Sequence, residues 1–352
     1  MNPRDALTAL LQPRDLAREE MLAVMRAIMG GQMTSAQIAG ILIALRVKGE
    51  SVTELAAAAQ VMREMSAKVD VADLRHLVDT CGTGGDGAHT FNISTAAAFV
   101  AAAAGCHVAK HGGRSVSSTS GSADVLEALG VNLNLTPEQV GRCIREVGVG
   151  FMFAPNYHPA MKHAAPVRRE LGVRTLFNLL GPMTNPAGAP NQVMGVFSRS
   201  LTGRLAEVLR HLGSRHVMVV HAADGLDELS LGAPTHVAEL VHGQVREYTV
   251  TPGDFGLAEA PSEVFSVNGA EEAKTRLLAA LTGADMPARD IVALNAGAAI
   301  YVSGRAVTLE AGVHTALQVI AGGAARAKLD ALVATSVAMA RMETGSPKGL
   351  NS

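Results

Sequence analysis

Cysteine is scarce. Cys81, Cys106 and Cys143 are the only three in 352 residues, too few and too scattered for a disulfide framework or a cysteine-rich zinc site. Their odd number fits reduced thiols in a reducing compartment. An excess of charge of either sign is missing as well: 30 basic residues against 32 acidic ones leave a formal charge of -2. That is not the cationic balance on which sequence-independent nucleic-acid binding depends, so any anion site is local. Long apolar runs are also absent. The most apolar stretch, around Ala96 to Ala104, is about half of the ~20 residues that a membrane-spanning helix requires, and it reads as a core helix. The opening MNPRDALTALLQPRDLAREE is charged throughout and contains no apolar stretch of signal-peptide type, so the expected location is the cytoplasm, without a membrane partner. There is no internal repeat, no low-complexity linker and no HExxH pattern.

What is present divides into two regions. The first seventy residues carry helix signals and almost no strand signals. Met21, Val24, Met25 and Ile28 recur at helical spacing before Gly30-Gly31, and Ile38, Ile41, Leu42 and Leu45 recur behind Ser35, which reads as a cap. Ser51-Val52-Thr53-Glu54 fits a capping box that opens a third helix through Leu55, Val61, Met62 and Met65. Met21, Met25 and Met29 read as core or dimer contacts. From about Val71 onward short apolar runs alternate with helical patterns. Leu77 to Cys81, Cys106 to Lys110, Gly150 to Ala154, Val193 to Phe197 and His216 to His221 are strand candidates. Val237 to Val241 and Val245 to Val250, joined around His242-Gly243, read as a hairpin. The expected fold class is α/β: a small all-helical amino-terminal domain, 1–70, and a large α/β domain, 71–352, with a mainly parallel sheet and helices on both faces. The apolar faces of the amino-terminal helices exceed what three helices bury among themselves, which predicts a homodimer through that domain.

Three glycine- and hydroxyl-rich segments crowd between Cys81 and Ser118: CGTGGDG, TFNIST and KHGGRSVSS. The first follows a strand signal directly, so its glycines sit at a strand's carboxyl end, where they permit positive φ and close approach of backbone N–H groups to an anion. Ser94 and Thr95 stand at the start of the alanine-rich helix, whose unpaired N–H groups favour phosphate. Lys110 opens the second glycine loop, followed by Arg114 and a run of hydroxyl residues. Open parallel sheets bind ligands beyond the strands' carboxyl ends, where the strand order reverses, and both loops are expected there. The spacing is neither GxxxxGK[ST] nor GxGxxG, so the ligand is phosphorylated but neither a nucleoside triphosphate nor a dinucleotide in its usual cradle.

With these segments in hand, CGTGGDGAHTFNIST, AKHGGRSVSSTSGSADVLEALG, FMFAPNYHPAMKHAAPVRRELGVRTLFNLLGPMTNP and Asp227-Glu228 resemble the anthranilate phosphoribosyltransferase family across almost the whole chain. The resemblance implies transfer of a phosphoribosyl group from phosphoribosyl pyrophosphate to the amine of anthranilate, with magnesium. It also implies that a helical segment near 162–182 joins the amino-terminal domain. Gly82, Gly85, Asp86 and Thr90 match the first pyrophosphate loop, and Asn92, Ile93, Ser94 and Thr95 match the phosphate site at the helix start, with Ser94 also a magnesium ligand. Lys110, His111, Gly112, Gly113 and Arg114, continued by Ser115, Val116, Ser117 and Ser118, match the loop that folds over the donor, and Ser122 matches a further contact. Asp227 and Glu228 match the acidic pair that holds magnesium. Arg168 matches the residue that meets the anthranilate carboxylate, with His158, Gly82 and Gly113 beside the acceptor.

Lys110 and Asp86 are the residues to which chemistry is assigned, the first as an electrostatic stabiliser of departing pyrophosphate and the second as an acceptor for the amine proton. One position departs from the family pattern KHGNR: Gly113 stands where asparagine touches both substrates. Loss of that amide costs roughly 1.5 to 3 kcal/mol of charge-assisted hydrogen bonding, so weaker substrate binding is expected, not a different reaction. Two rival readings share the architecture. A pyrimidine nucleoside phosphorylase does not require GTGGD with NIST, the acidic pair and FNLLGP in this form, and a non-catalytic nucleic-acid-binding relative calls for a basic groove that the charge balance does not supply.

Overall fold

The computed structural model describes residues 1–114 and 120–344. Seven strands form one sheet in the order β3-β2-β1-β4-β5-β6-β7. They are β1 (Leu77–Gly82), β2 (His107–Gly112), β3 (Val149–Phe153), β4 (Asn191–Gly195), β5 (His216–Ala222), β6 (Thr235–Val241) and β7 (Gln244–Val250). The first five are parallel, and β6 and β7 add an antiparallel hairpin. The chain steps outward from β1 through β2 to β3, then crosses back to lay β4 on the other side of β1. The order therefore reverses between β1 and β4. Only the first glycine loop emerges at this reversal; the second leaves β2, one strand away, contrary to the expectation that both would lie there.

Period-two alternation decides which face each strand residue covers. Along β5, Met218 and Val220 join one apolar cluster, whereas Val217 and Val219 join the other. The first cluster lies under the alanine-rich helix Ile93–Ala103, whose small side chains allow close packing, and under the nearly fully buried helix Met286–Val302. The second unites the opposite face with helix Thr202–His211, residues from Ala164 to Met183 and the amino-terminal helices.

Those helices number four. α1 (Pro3–Leu11), capped by Asn2 with proline at its first position, precedes α2 (Arg18–Met29), α3 (Ser35–Lys48) and α4 (Val52–Glu64). Thr34, not Ser35, caps α3, because it is Thr34 whose side chain accepts from the Gln37 N–H. The capping box at Ser51 and Glu54 is present, and Glu54 also accepts from Leu16 N (2.9 Å) and pairs with Lys48 (2.9 Å). Met21, Met25 and Met29 are buried in the core. Part of the apolar surface of these helices packs against helix Thr202–His211 and residues of the segment Ala164 to Met183 in the second cluster. Arg63 ties this layer down: its guanidinium donates to Met183 O (2.7 Å) and Leu212 O (3.3 Å).

The antiparallel edge is held by a carboxylate. Glu239 is fully buried and accepts from His216, Arg246, Tyr248 and Tyr301, at 2.7 to 3.0 Å. Burial alone would raise its pKa, but those donors outweigh burial and hold it down at about 2.

Candidate functional site

The first glycine loop can exist only without side chains at two strand ends. A Cβ on Gly82 would lie 2.7 Å from Asp227 Oδ2, and one on Gly195 would lie 1.5 Å from the Asp227 carbonyl oxygen. The acidic turn after β5 thus packs directly on the tips of β1 and β4. Gly84 and Gly85 take φ values of +63° and +78°, which turn the loop over this point.

Asp227 and Glu228 occupy the N–H groups that the two phosphate-type motifs present. Gly84 N donates to Asp227 Oδ2 (2.9 Å) and Ser94 N, in the first turn of α5 (Ile93–Ala103), donates to Glu228 Oε1 (3.2 Å). Asp86 lies alongside, its carboxylate accepting from Asp227 N (3.5 Å). Lys110 is 2 % exposed, so it does not project into the second loop. Its ammonium donates to Thr80 O and to Ser94 Oγ (3.2 Å), facing the acidic pair from beneath.

Burial, and then repulsion from Asp86, raises Asp227 to about 7. Burial with repulsion from Asp227 raises Glu228 to about 8, against the pull of Lys110. Burial lowers Lys110, while Asp79 and the acidic pair oppose that shift. Two half-buried carboxylates beside one lysine are short of positive charge, and hard oxygen donors suit magnesium. Among the described residues no cluster of three or more His, Cys, Asp or Glu forms a metal cage.

A pH dependence follows. Carboxyls whose folded pKa is raised add stability below their unfolded values and lose it as pH rises through about 7 to 8. Magnesium needs the ionised forms, so its increment to Tm should be larger at about pH 8.5 than at about pH 6. Differential scanning fluorimetry with and without magnesium chloride checks this, and an increment that shrinks with rising pH contradicts it.

The second loop is bracketed by side-chain ties to the first helix. Asn92 Nδ2 donates to Ser120 O (3.1 Å) and accepts at Oδ1 from Ser120 Oγ (3.3 Å), and Thr95 Oγ1 donates to Ser122 Oγ (3.1 Å). Thr90 bridges to Ser266, and Ile93 is buried. Gly112 ends β2, with Gly113 open beyond it. Arg114 does not cover this cleft; it pairs with Asp124 (2.9 Å) and Glu127 (2.8 Å). Ser115, Val116, Ser117 and Ser118 lie outside the described residues.

His111 and His158 meet with ring centroids 5.0 Å apart, and both Nε2 atoms are buried without a hydrogen-bond partner. Burial lowers them to about 3 and about 4, so both rings are neutral at physiological pH. Arg168 stands on the helix Ala165–Leu171 over the Phe177 ring (5.3 Å), with no ion pair among the described residues. The structure therefore gathers Gly82, Asp86, Ser94, Lys110, Asp227 and Glu228 at one point. His111 and His158 form a second group at the end of β2, and Arg168 is on neither.

Sequence reasoning missed Arg174, which donates to Gly85 O and stacks on Phe197 at 4.1 Å. It also missed Asp79 and Asn185, a charge and an amide inside apolar surroundings. A carboxylate in the middle of the buried strand LVDT was the visible signal.

Two family models match: "Glycosyl transferase family, helical bundle domain" over residues 4–66 and "Glycosyl transferase family, a/b domain" over 74–326. Fold and family models together define a glycosyl transferase, in which an acidic pair is set against the first glycine loop and the start of α5. The chain is 62 % identical over 336 residues to the anthranilate phosphoribosyltransferase of Thiobacillus denitrificans, covering 96 % of this chain and 98 % of the relative. The crystal structure of the Thermus thermophilus anthranilate phosphoribosyltransferase superposes with TM-score 0.90 at 47 % identity, covering 95 % and 99 % of the two chains. The Saccharomyces cerevisiae enzyme "in complex with PRPP and Mg" superposes with TM-score 0.86 at 27 % identity over 96 % and 98 %. The chain belongs to the anthranilate phosphoribosyltransferase family.

Proposed function

We propose that this protein transfers the phosphoribosyl group of phosphoribosyl pyrophosphate to the amine of anthranilate, releasing pyrophosphate. The observation that carries this reading is the meeting of Gly84 N–H, Ser94 N–H and the Asp227-Glu228 pair at the β1/β4 reversal. Breaking the anomeric bond leaves a cation-like sugar and a highly charged leaving group, so the protein's task is to stabilise that anion and hold the amine in line. The loop N–H groups and the Ser94 helix start bind the phosphates, and Lys110 holds positive charge below them. Asp227, Glu228 and Ser94 would hold magnesium, which when bound would supply electrostatic stabilisation of the leaving pyrophosphate. An aromatic amine is nucleophilic without prior deprotonation, so its proton leaves late, to water or to Asp86.

For the acceptor, Arg168 meets the carboxylate, and the His111–His158 pair forms an uncharged aromatic wall on the ring side, with Gly113 two residues beyond His111. The helical layer 1–70, joined by the segment 162–182, serves as the homodimer domain of the 71–352 unit, supported by Leu11 and Val47, which stay 75 % and 82 % exposed on α1 and α3. Among the described residues no helix is long and apolar enough to cross a membrane.

The direct test is loss of anthranilate fluorescence on mixing with phosphoribosyl pyrophosphate, with and without magnesium. Magnesium-dependent loss is expected. No loss, from a protein that binds the donor by calorimetry, would point to a different acceptor amine. Within the same assay, Gly113→Asn is expected to lower the apparent KM of at least one substrate about ten-fold, the lower end of a charge-assisted hydrogen bond. A Cβ at residue 113 meets nothing within 4 Å, so the amide fits. Unchanged KM values for both substrates would mean that the loop does not lack this group.

A further inference from the structure

The ligand end of the sheet is split between β1 and β2. β2 pairs with β3 through five residues, Val108 to Gly112, and β1 pairs with β4 through five, Val78 to Gly82. Between β1 and β2 the ladder holds only at Leu77 with His107 and at Val78 with Val108. Odd-numbered residues of β2 aim their backbone at β1, as His107 N shows by donating to His76 O (3.1 Å), whereas Val108 N donates to Gly148 O on the β3 side (2.8 Å). Past the Val78–Val108 pair, then, the carbonyl of Ala109 and the N–H of His111 face a strand that no longer pairs with them.

Side chains fill that gap. Asn185 Nδ2 donates to Ala109 O (2.8 Å) and to Asp79 Oδ2 (2.8 Å), and its Oδ1 accepts from Ala187 N (2.9 Å), which fixes the orientation of the amide. Asp79 Oδ1 accepts from His111 N (3.3 Å). On the β1 side, the carbonyl of Thr80 is taken by the Lys110 ammonium. Asp79 is 1 % and Asn185 6 % exposed. A zipped β1–β2 ladder would satisfy the same backbone groups without burying a carboxylate, at lower desolvation cost. What the split changes is the separation of the two loops: CGTGGDG leaves β1 and KHGGR leaves β2.

We infer that Asp79 and Asn185 are positioning residues that wedge β1 and β2 apart at their carboxyl ends, setting the gap between the two glycine loops across which the phosphoribosyl donor binds. This rests on the phosphoribosyl-transfer reading above. Neither residue touches the donor; each acts through the backbone of Ala109 and His111. Because the wedge comes from the segment after FNLLGP, the same contact couples the wall beside His111 to the spacing of the phosphate loops.

The test uses Asp79→Asn, Asn185→Asp and the double exchange in the full chain, with magnesium pyrophosphate binding by calorimetry and KM for both substrates. Asp79→Asn turns an NH2 toward a donor, either the Asn185 amide or the His111 N–H, and Asn185→Asp sets carboxylate against carboxylate. Each is expected to weaken magnesium pyrophosphate binding and raise the donor KM more than about ten-fold, since a 1 Å misplacement costs up to about 10²-fold. The double exchange restores a complementary pair between the two side chains, although Ala109 O then faces a carboxylate oxygen in place of its donor, and is expected to recover part of that loss. Such non-additivity is what coupled partners give and independent structural losses do not. Folded single variants that bind magnesium pyrophosphate like the wild type, with only Tm lowered, would overturn the inference. If the single variants do not fold, Asn185→Ser, which keeps a donor in less volume, is measured the same way and must show the same rise in donor KM. Consumption of anthranilate by the wild type judges the proposed function separately from these ratios.

Discussion

The double variant Asp227→Asn, Glu228→Gln is expected to lose roughly 10²- to 10³-fold in kcat/KM for phosphoribosyl pyrophosphate and, in the same protein, to gain affinity for pyrophosphate without magnesium. The loss follows from the proposed role of these carboxylates in holding a charge-stabilising metal, worth several kcal/mol at the transition state. The gain follows from the hydrogen bonds in the structure. Asp227 and Glu228 hold the Gly84 and Ser94 N–H groups at 2.9 and 3.2 Å, the donors that a phosphate needs. When ionised they also repel an incoming anion from a half-buried position. At about pH 8.5, where both carboxyls are ionised, neutral amides remove that repulsion and hold the donors less strongly, so metal-free pyrophosphate should bind on the order of ten-fold more tightly. Calorimetry in EDTA reads this directly. Weaker metal-free binding in the variant would mean that the acidic pair instead shapes the loop.

Lys110→Met is expected to be the most destabilising single change at the site, by about 3–5 kcal/mol, the usual cost of leaving buried charge uncompensated. The ammonium is the cation that opposes the shifts of Asp79 and Glu228, and its donors also satisfy Thr80 O and Ser94 Oγ. Methionine matches its length and adds no charge. Urea denaturation measures the loss, and magnesium should recover a larger share of stability in the variant than in the wild type, because it then becomes the main local cation. A variant as stable as the wild type would show that the carboxyls are already protonated without Lys110.

Much of this was legible in advance, and for local reasons. The loop CGTGGDG announced itself because positive φ and close backbone approach select glycine. The five parallel strands and the hairpin were visible from short apolar runs and the His242-Gly243 turn, whose residues both take positive φ. The capping box at Ser51 and Glu54 lies within four residues. α1 went unread because its signal is brief: an Asn2 cap, a proline and nine residues. The cap of α3 was misplaced by one residue because Thr34 and Ser35 are both competent caps and only the hydrogen bond to Gln37 chooses between them.

Long-range placement accounts for what was not legible. Lys110 reads as the first residue of a phosphate loop, yet its side chain turns inward to Thr80 and Ser94. Arg114 reads as a phosphate contact, yet it is claimed by Asp124 and Glu127 on the next helix. Asp227-Glu228 is an ordinary acidic turn until packing sets it against Gly84 and Ser94, more than a hundred residues earlier. The apolar excess of the amino-terminal helices did not reveal whether it would meet a partner or the sheet, since both burials look alike from one helix.

The sequence by itself determined the local backbone: where glycine must bend it, where alternation makes a strand with two covered faces, and where a helix begins. Those choices depend on sterics and on neighbours within a few residues. Tertiary structure decided which charges meet. It placed the strand reversal between β1 and β4, aimed Asp227 and Glu228 at the phosphate-type N–H groups, buried Lys110 among carboxylates and set Asp79 and Asn185 in the split between β1 and β2. Electrostatic partnership is a matter of distance and burial, and both arise only when elements far apart in the chain pack on a common sheet.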